Sequence, residues 1–229
     1  DPGPLLLTIA ALVLLPRALK LAALSESASI PLTIPALLLG ASFFVPVGML
    51  AASLTLPWLA VSAALAWNSR RHPLTHVVPF AYLVIGAAWA FAARAGIQPL
   101  GFEPTIVQLT ALHFHYAGAL LPLLLIPSAR ELPGPLPRLA LHAAILGVPL
   151  VAAGITATKL NFGATVELAA AIFMTLAGCL AAAVYFRLAA RFAPVNRTAA
   201  LLFIAASVSL AFGMGFALLY GTRWLLAKP

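Results

Sequence analysis

The sequence predicts an all-α, polytopic transmembrane helix bundle, and three observations carry that prediction. Of 229 residues, 63% are hydrophobic and only 8% charged, against about 25% charged in soluble domains. The apolar residues come in long runs, and about 20 such residues suffice to cross a bilayer. Many of the 19 prolines and 15 glycines lie inside those runs, a placement that transmembrane helices tolerate and soluble helices avoid. The formal net charge of +8 does not argue for nucleic acid as a partner. The basic residues stand at the ends of apolar runs, so they report topology.

Eight spans follow in order: 4–24, 33–52, 55–67, 75–94, 104–127, 138–158, 164–190 and 199–226. The first has no clean small-residue cleavage site after it and is read as a span rather than a signal peptide. The second and third are divided at "AASLTLPW"; fused into one kinked element they would make the count seven. The turn "NSRRHPL" leads into the fourth span, and "AGIQPLGFEP" leads out of it. The fifth opens at Pro104, where a missing N–H costs nothing. "PSARELPGPLPR" precedes the sixth, and "TATKLNFGATVE" joins it to the seventh. The seventh contains "LAAAIFMTLAGCLAAA", a small-residue run suited to close helix packing. The lone Cys179 within it is a packing residue with no internal disulfide partner.

Charge orients the set. With both termini outside, the inner ends carry Arg17, Lys20, Arg70, Arg71, Arg130, Arg138, Arg187, Arg191 and Arg197. The outer ends carry Arg94, Lys159, Arg223 and Lys228, so the inner side holds nine basic residues against four. That asymmetry fits the positive-inside bias and favours eight spans over seven. No loop is long enough for a soluble domain and no internal repeat is evident, so residues 1–229 read as one integral membrane domain.

The fifth span holds the most informative stretch, "LTALHFHYAG" at 109–118. His113 lies nine residues beyond Pro104, or about 14 Å at ~1.5 Å per residue. That puts His113 and His115 near the midplane, where ionisable groups are costly and face a bundle interior or cavity. Residues two apart on an α-helix point about 200° apart. The pair therefore faces two neighbours instead of chelating one metal ion, and no metal site is expected.

"HFHY" has a local similarity to the haem-ligand helix of haem–copper oxidase subunit I. The resemblance stops at these four residues. The other histidines, His72, His76 and His142, lie shallower by roughly 10 Å on helix rise, so two-His haem ligation is not expected, and no cofactor is assigned. A single axial haem ligand stays open. The longer stretch "LTALHFHYAG" resembles the YndJ-like family of bacterial polytopic membrane proteins. That resemblance implies a multi-pass protein of the bacterial inner membrane and carries no established reaction.

Polar groups concentrate between the midplane and the outer surface. His113, His115, Glu103 and Glu167 are the candidate acid–base residues. Gln108, Tyr116, Lys159, Asn161, Tyr220, Arg223 and Trp89 are candidate substrate contacts. Glu103 and His113 share one stripe of the fifth span; Gln108 and His115 share another with Thr105. Carboxylates and imidazoles in an apolar cup could perform general acid–base chemistry on a lipophilic molecule with a polar end. Each also has a plainer reading. A midplane histidine often bridges helices, Glu103 suits a helix start, and Lys159 and Arg223 suit snorkelling interface charges. Trp58, Trp89 and Trp224 suit interface anchors. The expected function is a membrane-embedded non-redox enzyme of isomerase, cyclase or hydrolase type. The alternatives are an accessory subunit of a membrane complex, a proton-coupled carrier, and a haem-binding electron carrier. The expected partners are the lipid bilayer, a lipophilic small molecule and other membrane subunits.

Overall fold

A computed structural model describes residues 2–22, 24 and 31–222, and among them every regular element is helical. Among the described residues eight apolar helices follow one another: α1 Gly3–Leu21, α2 Thr33–Ser42, α3 Met49–Ser69, α4 Leu74–Ala95, α5 Pro104–Glu131, α6 Leu136–Lys159, α7 Thr165–Phe192 and α8 Arg197–Gly221. Seven are long and apolar enough to cross a membrane; α2, with ten residues, is shorter. The all-helical membrane class expected from composition is what the chain adopts.

The boundary between the second and third spans differs from the sequence reading. The expected break at "AASLTLPW" is only a tight joint inside α3, where Thr55 Oγ1 donates to the Ala52 carbonyl at 2.7 Å. Pro57 falls in the first turn of the α-segment that follows, where no N–H is needed. The real break is "FFVPVG", residues 43–48. Gly48 has φ 153° and ψ −175° there, a combination open essentially to glycine alone. Two bonds hold this loop to the last turn of α4. The Gly48 N–H donates to the Arg94 carbonyl at 2.9 Å, and Arg94 Nη2 donates to the Val45 carbonyl at 2.5 Å. The second helix is thereby shorter than expected and the third longer.

By internal packing the chain forms two units, Asp1–Leu124 and Leu125–Pro229. In the first, α4 packs on α3 and on α5, while α1 packs on α2 and α5. Two glycines allow α4 and α5 to approach closely. A Cβ on Gly86 would stand 2.7 Å from His115 Nδ1, and one on Gly118 would stand 2.9 Å from Tyr82 Cβ.

In the second unit, α7 packs against both α6 and α8. The small residues of α7 do what the sequence predicts of them. A Cβ on Gly178 would overlap the Met214 side chain, and Gly154 of α6 lies so near α7 that its Cβ would be 2.8 Å from Glu167 Cα. Ser207 Oγ adds a bond from α8 to the Ala182 carbonyl at 2.8 Å. The exposed Arg191–Glu131 ion pair at 3.5 Å adds little.

Candidate functional site

The fifth span is not a uniform α-helix. Between α-helical Pro104–His113 and Leu121–Glu131 the chain takes seven residues, Phe114–Leu120, in π-helical hydrogen bonding. Helix α1 does the same over Ala10–Leu14. The two π segments pack against each other. Such wide turns are rare and concentrate at functional sites.

A local cause is visible at both places. Each π segment runs into the sequence Leu-Leu-Pro, at Leu14–Pro16 and at Leu120–Pro122. Each proline is then the second residue of the α-segment that follows. A proline inside a regular helix would lack its bond to the fourth residue back and press its ring on that carbonyl. A wide turn directly before it relieves both demands. Proline alone is not enough, since Pro79 and Pro149 lie inside unbroken α-helix. The Leu-Leu-Pro pattern was the signal available in the sequence.

His115 sits in the π segment and is only 1% exposed. Its Nε2 accepts the indole N–H of Trp58 at 2.9 Å. Its Nδ1 lies 2.7 Å from the Ala111 carbonyl. A carbonyl only accepts, so Nδ1 carries the proton and the ring is the neutral Nδ1–H tautomer. The two ring planes are 18° apart, with centroids 6.1 Å apart. Both ring nitrogens are therefore engaged. The Nε2 lone pair that would ligate a haem iron is taken up by Trp58.

This corrects the reading of Trp58 as an interface anchor. It is fully buried, and its N–H has the partner that buried indoles require. His115 meets Trp58 on α3 and Gly86 on α4.

His113 closes the α-segment just before the π turn and is half-buried. Its ring meets Phe114 edge-on, with centroids 5.8 Å apart, and its Nε2 atom is buried. Tyr116, two residues into the π segment, donates its hydroxyl to the Leu6 carbonyl of α1 at 2.9 Å. That bond joins the two spans that carry π turns. Gln108 is half-buried one turn and more before His113. Glu103 is exposed at the N-cap position of α5 and makes no cap bond. Trp89 is half-buried against Phe102, with ring centroids 6.3 Å apart.

The remaining candidates belong to the second unit. Glu167 is buried in the first turn of α7, where the helix dipole favours a carboxylate. Lys159 is exposed in the last turn of α6. Asn161 is exposed and left-handed with φ 63°, a conformation asparagine tolerates. Tyr220 is 59% exposed near the end of α8. Arg223 lies outside the described residues, as does Trp224. Among the described residues no group of three or more His, Cys, Asp or Glu is placed to hold a metal ion.

A 60-residue segment, 25% of this chain, is 37% identical to the protein named "Uncharacterized membrane protein YndJ" of Bacillus subtilis (strain 168). The segment spans 11% of that relative's length. No solved structure matches the chain. The sequence model of the YndJ-like protein family matches residues 5–226, which is nearly the whole chain. With its apolar helices and the "LTALHFHYAG" stretch of α5, this integral membrane protein belongs to the YndJ-like family.

Proposed function

We propose that the chain is a membrane-embedded, non-redox enzyme that moves protons on a lipophilic molecule taken from the bilayer. The π segment of α5 is its centre. The observation that carries this reading is the meeting of two π segments from different spans, with His113 immediately before one of them and Tyr116 within it bonded to Leu6 of the other span. The reaction class is isomerisation, cyclisation or hydrolysis by general acid–base chemistry.

Geometry suggests the following roles. His113, half-buried at the edge of the wide turn, is the proposed proton-transferring group, because a neutral imidazole carries one donor and one acceptor nitrogen. His115 is a positioning residue: its two bonds set the course of the π segment and so the place of His113. Tyr116 ties that segment to α1. On the first unit Glu103 is a proposed acid–base carboxylate, and Gln108 and Trp89 are proposed substrate contacts. On the second unit, taken by itself, Glu167 is a proposed acid–base carboxylate, and Lys159, Asn161 and Tyr220 are proposed polar contacts, each tested by its own substitution. The protein is proposed to act in the bacterial inner membrane as a multi-pass chain.

The test is a product search. The reconstituted protein is incubated with total lipid extract from its host, and the extract is compared before and after by liquid chromatography with mass detection, because isomers share a mass and differ in retention. The reading expects a new chromatographic peak produced by the wild type and lost in His113→Gln. Identical extracts from wild type and variant would reject it.

A second reading, a non-catalytic subunit of a larger membrane complex, is favoured by α8. Among its residues only Ala200, Ser207 and Gly221 are buried, which leaves a long apolar surface for lipid or a partner helix. Co-purification of a stoichiometric membrane subunit would support it.

A further inference from the structure

The turn between α3 and α4 concentrates positive charge and aromatic surface, with no acid paired to it among the described residues. Arg70 and Arg71 are exposed, and residues 31–102 contain no Asp or Glu. Neither arginine forms an ion pair among the described residues. Arg70 is also held in place. Its guanidinium carbon lies 3.7 Å from the centre of the Trp67 ring, and its Nη1 donates to the Trp67 carbonyl at 2.9 Å. Trp67 itself is 65% exposed. Beyond the turn, the rings of His72 and His76 stack with centroids 6.2 Å apart and planes 23° apart.

Each part fits one kind of ligand. An exposed tryptophan at a span end is suited to the headgroup layer of a bilayer. A guanidinium fixed over that ring has little freedom left to lose when it binds, and its remaining N–H groups suit phosphate oxygens. Arg71 adds a second positive charge in the next position. The basic residues fall at the expected inner side, where anionic lipids attract such clusters.

We infer that the Trp67–Arg70–Arg71 turn is a binding site for the phosphate of an anionic phospholipid headgroup, with the indole in the headgroup layer and the two guanidinium groups on the phosphate.

The full chain in neutral detergent is titrated with phosphatidylglycerol, with phosphatidylcholine and with inorganic phosphate, and bound species are resolved by native mass spectrometry. The site predicts tight binding of phosphatidylglycerol and weak binding of the other two. Arg70→Gln/Arg71→Gln should weaken the phosphatidylglycerol adduct about 30-fold. Trp67→Leu, which keeps both charges, should weaken it less. Arg138→Gln, a charge removed elsewhere, should leave it unchanged. Equal binding of both lipids would overturn the site, and so would an equal loss in Arg138→Gln. Inorganic phosphate binding as tightly as the lipid would show an ion site instead of a lipid site and would overturn it too.

Discussion

The indole N–H of Trp58 points at Nε2 of His115 across 2.9 Å, and both residues are almost wholly buried. Each ring solves the other's problem. The tryptophan needs an acceptor and the histidine needs a donor, in a place where water supplies neither. Trp58→Phe removes the donor and strands a buried acceptor. It should destabilise the protein by about 1–3 kcal/mol. Denaturant unfolding in detergent measures this. In combination with His115→Phe the losses should fall short of additivity by roughly 0.5–3 kcal/mol. Additive losses would show that the bond contributes nothing.

Gly86→Ala tests the close approach of α4 to the π segment. The added Cβ would stand 2.7 Å from His115 Nδ1 and 3.1 Å from Phe114 Cβ. Neither neighbour can yield without moving the ring or the backbone, so a loss of about 1–3 kcal/mol is expected. An unchanged unfolding midpoint would mean that the helices sit farther apart.

Tyr116→Phe removes the hydroxyl bond to Leu6 and keeps the ring. Tyr116 is half-buried, so the cost should be about 0.5–1.5 kcal/mol, below that of Trp58→Phe. Hydrogen exchange should rise locally in α1, around the Ala10–Leu14 π segment. Faster exchange spread evenly over the first unit would place the effect elsewhere.

In the second unit, Gly178→Leu should push α8 off α7, because even a Cβ there overlaps Met214. A second change, Met214→Ala, should restore part of the loss by vacating that volume. Failure of the rescue would mean that Gly178 matters for another reason. Protease susceptibility of α8 reports either outcome.

The helical membrane class was legible because composition and run length decide it. Most helix ends agree with the sequence reading within a few residues; α6, for example, was expected at 138–158 and is Leu136–Lys159. The α2–α3 boundary was misread because proline is ambiguous. Pro57 enters a helix, while Pro46 with Gly48 leaves one, and only the backbone of Gly48 distinguishes them. At the site, the prominence of the "HFHY" stretch was visible, and so was the need for its two rings to face different neighbours. The partner of His115 was not. It comes from Trp58, 57 residues away, and no local pattern reports a contact so distant. The π turns escaped because apolar periodicity over five to seven residues does not separate a π from an α turn; only the repeated Leu-Leu-Pro hinted at them.

The proposed division of labour between the two histidines rests on His115 being a neutral ring held at both nitrogens by Trp58 and Ala111. Nitrogen NMR of ¹⁵N-imidazole-labelled protein in nanodiscs at neutral pH tests it most directly. The His115 ring should show a protonated Nδ1 and a bare Nε2, and Trp58→Phe should shift the Nε2 signal while leaving the His113 signals in place. A His115 ring protonated at Nε2, or one indifferent to Trp58→Phe, would contradict it.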